Sequence, residues 1–443
     1  MKKNNSKNGR ANRNTFQSIT LMLFLFGILF LFLPASVLHS QANKDSLNIT
    51  SRDTARINPL RNNHVDLTGQ NLTDASFPNS WPIFGTRTRM AIGGYVKVDY
   101  LQDFSGTLND RFQFTIHNVP VKGTDGYGQQ GYMNFFVRES RFNFDIRSQT
   151  EKGTPVRIFI EMDFWNLDRS PFFNTPRLRH AYGVLGQFLV GRTWGTLTDV
   201  YSIPTTIDFG AGDAISGSRR PQVRWEKPLS EMTNWAVALE MLEFPDIDNV
   251  ADQDGQPSQL LPLFAGRITH ELNSGGRIML GGSVGQLRWD GLGTGPNATC
   301  FGWGVLFSGR HNLGELNYFY WNFSGGDGWG SNIISQIGLG NSAVLTPDGS
   351  LEPIFSYNIS GGFAYYLSPI LATNISTAWQ SLEDSEFKSD ESLKQGGTVH
   401  ANLIWSPARV VNLGVEYMVG YRKNKNGADG TAHRAQAMIK FIF

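Results

Sequence analysis

Arg434-Ala-Gln-Ala-Met-Ile-Lys-Phe-Ile-Phe443 closes the sequence and decides how the rest of it is read. Taken at every second residue, Phe443, Phe441, Ile439, Ala437 and Ala435 form one set, and Ile442, Lys440, Met438, Gln436 and Arg434 the other. The first set is apolar throughout; the second is polar apart from Met438 and Ile442. Side chains of an extended strand alternate between its two faces, so the stretch reads as a strand greasy on one side and charged on the other. Such a strand suits a membrane barrel, which must pair its last strand with its first because an open edge cannot sit in lipid. The last strand of a soluble sandwich alternates in the same way, so the remaining chain has to supply matching strands.

Working back from that end, the same period of two recurs. Met90, Ile92, Val96, Val98 and Tyr100 oppose Tyr95, Lys97 and Asp99. Phe142, Phe144 and Ile146 oppose Glu139, Arg141, Asn143, Asp145 and Arg147, while Val156, Ile158, Ile160, Met162 and Phe164 oppose Arg157, Glu161 and Asp163. A dry protein core does not tolerate so many ions on its inner face, whereas a wet lumen with lipid outside does. About sixteen such runs can be drawn, an even number as single-chain bacterial barrels have. Aromatics fall on both parities around Phe188–Trp194 and Leu316–Phe323, leaving the faces there ambiguous. The connections alternate short and long: short at residues 150–154, 228–231, 273–274 and 368–369, long at 103–134, 195–219, 243–260 and 324–353. Short periplasmic turns and long outer loops give that rhythm. The expected fold is all-β, a transmembrane antiparallel β-barrel over residues 88–443.

Composition agrees. The 443 residues include 48 Gly, 31 Phe, 13 Tyr and 11 Trp with 17% charged residues, a load that favours β structure over disorder. Lys2, Lys3, Lys7, Arg10 and Arg13 precede an apolar run from Ile19 to Leu33 and small residues near Ser40–Ala42, the order of a secretory signal peptide, here residues 1–42. Removing it takes five positive charges and no acid from a formal net charge of +1, so any basic function rests on where the arginines sit. Residues 43–87, polar and Asn-rich without heptads, read as a periplasmic arm. The lone Cys300 excludes an intrachain disulfide and a cysteine metal cluster.

A sixteen-stranded barrel is wide enough for an aqueous channel, with selectivity set by inward charge and any constricting loop. The third outer loop, 195–219, is long and Gly-rich and ends in Arg219 and Arg220, running on to Arg224. Folded inward it would narrow the bore; lying over the mouth or making subunit contacts is the alternative. Inward acids and bases are mixed, but Arg177 and Arg179 with Arg219, Arg220 and Arg224 form the region with little acid nearby in sequence. Guanidinium groups bind carboxylates and phosphates bidentately, so small anionic solutes are the expected cargo.

Gly93-Gly-Tyr-Val-Lys-Val-Asp-Tyr100, Arg138-Glu-Ser-Arg-Phe-Asn-Phe-Asp-Ile146, Ile160-Glu-Met-Asp-Phe-Trp165, Arg177-Leu-Arg-His-Ala-Tyr-Gly183, Gly191-Arg-Thr-Trp-Gly-Thr-Leu-Thr-Asp199 and Arg219-Arg-Pro-Gln-Val-Arg-Trp225 resemble the DcaP-like outer-membrane porins. That resemblance implies a homotrimeric diffusion channel in the outer membrane of a Gram-negative bacterium, with an inward constriction loop and a basic narrow zone. The pore positions it implies are Arg141, Arg177, Arg179, Arg219, Arg220 and Arg224. The partners expected are outer-membrane lipid and small anions, with no nucleic acid and no cofactor.

Two rivals remain. A barrel hydrolase needs a Ser or Asp system with His at the outer rim, but His117, His180, His270, His311, His400 and His433 are dispersed, and His180 reads as a packed or interfacial residue. An adhesive or structural barrel would act through its outer loops. Gly325–Gly330 reads as turn chemistry, and no metalloprotease or phosphate-loop motif appears.

Overall fold

A computed structural model describes residues 77, 80–83, 88–106, 112–165, 175–210, 213–242 and 246–443. The expected signal peptide and nearly all of the expected arm lie outside those residues. Among the described residues one antiparallel sheet closes on itself. Its sixteen wall strands are β1 (Arg89–Ser105), β2 (Arg141–Gln149), β3 (Pro155–Asp163), β4 (Arg177–Leu185), β5 (Phe188–Trp194), β6 (Arg219–Pro228), β7 (Thr233–Glu240), β8 (Leu263–Glu271), β9 (Arg277–Asp290), β10 (Ala298–Leu313), β11 (Asn317–Asp327), β12 (Phe355–Ser368), β13 (Leu371–Leu382), β14 (Leu393–Ala408), β15 (Val411–Asn424) and β16 (Asp429–Ile442).

Closure runs along β1 and β16, from Tyr95 opposite Ile442 to Asp103 opposite Arg434. Arg434 holds the carboxylate of Asp103 through Nε at 2.6 Å and Nη2 at 3.1 Å, and both side chains are fully buried. On its other edge β1 has two partners in succession. Arg89–Tyr95 pairs with β2, and Asp99–Gln102 pairs with a short segment, Met133–Phe136. The second wall strand therefore starts at Met133, close to the end of the expected connection 103–134, and is interrupted at residues 137–140.

The alternation falls as expected. Val96, Ile158, Leu239, Val415 and Phe441 are exposed on the outer face, and Lys97, Asp99, Glu161, Asp163, Glu416 and Arg434 are buried inside. In the two ambiguous stretches, Phe188 and Val190 face out with Leu189 in, and Phe323 faces out with Tyr318 and Tyr320 in. The long loops carry structure of their own. Ile247–Asn249 pairs in parallel with Ala343–Leu345, which pairs antiparallel with Leu351–Pro353. Beneath this small sheet Leu242, Leu287, Trp289 and Leu345 pack as one apolar cluster. Gly325–Gly330 does more than turn: Trp329 is buried against Gly304 of β10, where an added Cβ would lie 1.9 Å from the Trp329 ring.

Candidate functional site: an arginine sector beside a lining loop

On β2–β4 the inward charges interlock. Asp163 stands directly opposite Arg177 across the β3–β4 pair and accepts its Nε at 2.9 Å and Nη2 at 2.7 Å. Arg179, two residues on and hence on the same face, donates from Nη1 to Asp163 at 2.7 Å and from Nε to Glu161 at 2.8 Å. A register shift at Glu161/Met162 brings His180 inward as well. There it is fully buried, 2.9 Å from the Thr193 hydroxyl, among Phe159, Tyr182 and Trp194. Arg141 Nη1 lies 3.6 Å from Glu161, and Asp145 takes both Arg147 and Arg157. The arginines that look acid-poor in sequence thus meet carboxylates from neighbouring strands. Pairing fixes the guanidinium planes, and for Arg177 and Arg179 these bonds engage two of the nitrogens of a group that carries five donors.

The three arginines of β6 part company. Arg220 and Arg224 share the inward parity, whereas Arg219 alternates with them, sits opposite Trp194 and lays its guanidinium 4.5 Å from that ring. Arg220 is nine-tenths buried and tied to Glu240 at 3.3 Å and to the Ser331 carbonyl at 2.8 Å. Arg224 lies 3.7 Å from Glu226, which also holds Arg267 at 3.0 Å. Of the six expected positions, Arg141, Arg177 and Arg179 form one connected group. Arg177 is the most open of these, with a quarter of its side chain accessible.

Loop L3, between β5 and β6, hydrogen-bonds in turn to inward side chains of much of the remaining wall. Arg267 of β8 donates to the Thr196 carbonyl at 3.2 Å. Asp199 caps the turn Val200–Ser202, accepts the Ser308 hydroxyl at 2.9 Å and pairs with Arg277 at 3.3 Å. Asn322 of β11 reaches Ser202, and Asn402 of β14 donates to the Thr205 carbonyl. The backbone N–H groups of Ile207 and Asp208 donate to Glu416 of β15 at 2.7 and 3.2 Å. Lys97 of β1 donates to the Ile207 carbonyl at 2.7 Å. Ile207 also packs with Ile404 and Met438, which accounts for a methionine on the otherwise polar inner face of β16.

Loop L1, between β1 and β2, joins L3 through two carboxylates. Asp208 accepts the Phe114 N–H at 2.9 Å, and Asp213 the Ile116 N–H at 2.5 Å. Burial pushes the Asp208 carboxyl up to about 7 and that of Asp213 to about 6. All three acids described in L3, Asp199, Asp208 and Asp213, are thus spent on anchoring. Next to Asp208, the Phe209 ring stacks on Trp165 with centroids 4.0 Å apart and lies 5.4 and 5.8 Å from the guanidinium carbons of Arg177 and Arg179.

The wall opposite is neutral. Strands β11–β14 carry two charged residues, Asp327 and Lys394, each at the outer end of its strand. Their inward side chains include hydroxyls and amides such as Asn322, Asn358, Asn374 and Gln380, with His400 and Ile404 of β14 against the tip of L3. Among the described residues no group of three or more His, Cys, Asp or Glu side chains could hold a metal ion. Sequence alternation puts Glu416 on the inner face, but Glu416, Asp208, Phe209 and Trp165 were not among the expected pore positions.

A family model described as DcaP outer membrane protein matches residues 49–443. Among solved structures, the outer membrane channel DcaP of Acinetobacter baumannii aligns with a TM-score of 0.69 at 22% identity, over 81% of this chain and 98% of that one. The loop L8 deletion mutant of OmpT, an outer membrane protein of Vibrio cholerae, aligns at 0.53 with 12% identity, over 81% of this chain and 100% of that one. OmpF of Salmonella typhi in complex with daunomycin aligns at 0.52 with 10% identity, over 82% and 99%. At these identities the likeness is one of fold. No curated protein sequence matches significantly.

Proposed function

The chain belongs to the DcaP outer membrane protein family and is a channel-type β-barrel of the Gram-negative outer membrane; from that premise we propose that it passes small anionic, hydrophilic solutes through an arginine-rich constriction. One observation carries the reading. L3 lines the wall from β8 round to β1, its described acids are all turned into anchoring contacts, and towards the sector of Arg141, Arg177 and Arg179 it presents the Phe209 ring rather than a carboxylate. With L3 as the inward loop, a solute passing there meets guanidinium edges on one side and no free carboxylate from the loop on the other. Fixed donors of one sign in a narrow, weakly screened passage favour anions.

We propose further that the channel is a homotrimer. The support is the low wall at β5. Seven residues, tilted by about 40°, cross only about 18 Å, against an apolar band of about 25 Å. Leu178, Leu185, Phe188 and Val190 are nonetheless exposed on that wall, a surface that a second copy would cover.

Purified full-length protein in planar bilayers tests both readings. A reversal potential in a potassium chloride gradient is expected to report chloride preference, reduced in an Arg177→Gln/Arg179→Gln variant, with conductance in steps of three. Cation preference in the wild type would remove the anion reading.

A further inference from the structure

We propose that Phe209 is a specificity-determining residue of this channel, making the arginine constriction select weakly hydrated anions over strongly hydrated ones. The inference rests on the anion reading above and deepens it. Residues on either side of Phe209 are immobilised. The backbone N–H of Asp208 is bound by Glu416, and the Asp208 carboxylate accepts both Phe114 N–H at 2.9 Å and Gly210 N–H at 2.7 Å. Gly210 has no room for a side chain: an added Cβ would lie 2.6 Å from the Asp208 carboxylate and 3.0 Å from the Phe114 carbonyl. With both neighbours pinned to the β15 side of the bore, the ring projects towards β3 and β4. There it is stacked on Trp165, with planes 15° apart, and within cation–π range of two guanidinium groups.

This arrangement divides the solute's surroundings. Asp163 occupies the Nε–Nη2 edge of Arg177, Glu161 and Asp163 take Nε and Nη1 of Arg179, and the aromatic ring lies beside both. An anion using the remaining N–H groups must therefore do so next to an apolar surface, giving up water on that side. Guanidinium, itself weakly hydrated, compensates poorly for the loss of a tightly held hydration shell. Anions that hold water loosely lose less in passing, and a constriction with an apolar wall enlarges that difference.

Bi-ionic reversal potentials with potassium thiocyanate against potassium chloride, on the full-length protein, read the effect directly. The wild type is expected to favour thiocyanate beyond the ratio of the two mobilities in water. Phe209→Ala should lose that excess while conductance rises, and Phe209→Tyr, which keeps the ring, should retain it. Should Phe209→Ala fail to assemble as a heat-resistant oligomer, Phe209→Asn, which puts a hydrogen-bonding amide where the apolar face stood, is expected to lose the excess in its place. A thiocyanate preference that survives ring removal in whichever of these two variants assembles overturns the proposal. Cation preference in the wild type would instead strike the anion reading on which it stands, and is seen before any variant is made.

Discussion

The carboxylate of Glu416 accepts the backbone N–H of Ile207 at 2.7 Å, tying a loop that leaves the wall at β5 to a strand on the other side of the closure seam. The same carboxylate also takes Asp208 N–H, the Asn402 amide and His400 Nδ1. Hydrogen bonds to a charged group contribute about 1.5–3 kcal/mol each, so this one side chain is a principal anchor of the loop tip, beside Lys97 on the Ile207 carbonyl. Glu416→Ala is expected to free the tip and give a larger, flickering single-channel conductance. A quiet trace of wild-type amplitude would mean that L3 is held elsewhere.

Arg177 and Arg220 should separate selectivity from stability. Arg220 is nearly inaccessible and its loss strands Glu240; breaking a buried pair of this kind costs about 3–5 kcal/mol. Arg220→Ala is expected to lower the temperature at which the folded band disappears on unheated gels. Arg177 is partly open and its partner Asp163 keeps Arg179, so Arg177→Gln should lower that temperature less than Arg220→Ala does and reduce the chloride-to-potassium permeability ratio. The reverse assignment of effects would contradict the arginine sector as described.

Loop docking should respond to pH. The Asp208 and Asp213 carboxyls sit at about 7 and about 6, above the ordinary 3.8, because burial disfavours their charged form. A docked state that binds protons more tightly than the free loop is most stable below about pH 4 and loses that advantage as pH rises through 6 to 7. His400, Glu416 and Arg434 face Asp208, and Ser335 and His400 face Asp213. Conductance is therefore expected to increase between about pH 5 and 8 in the wild type. Asp208→Asn, which cannot ionise, should flatten the rise; a slope unaffected by that change would point to other groups.

Trp329 of the loop between β11 and β12 depends on the missing side chain at position 304. Gly304→Ala would put a Cβ 1.9 Å from the indole, an overpacking that costs about 1–3 kcal/mol. The expected result is earlier exposure of Trp329 to protease or to collisional fluorescence quenchers, with the β-sheet circular dichroism retained.

Strand number, face assignment and the seam were legible because lipid and water impose a two-residue period that survives in the bare sequence. Loop direction was not, yet part of it was written in the exceptions. Met438, Ile404, Met418, Met279 and Leu306 are apolar side chains at inward positions, and each packs against a loop residue: Ile207 for the first two, Phe114 and Val119 for Met418, Leu197 and Trp329 for the last two. An apolar residue on a wet face has no reason to be there unless something covers it. Carboxylate pairing of the arginines was hidden for a different reason. Asp163 and Arg177 are adjacent only through strand register, which the sequence does not state. Likewise Phe209 is not set apart in the sequence from Tyr201 of the same Gly-rich loop, and it gains meaning only from Trp165 beside it.

The seam between β1 and β16 also sets the order of biogenesis. Asp103 and Arg434 cannot meet until the ribosome has released nearly all of the polypeptide, so no half-made cylinder can be sealed while translation proceeds. Until then both strand edges are unpaired, the state in which a β-strand pairs with other chains.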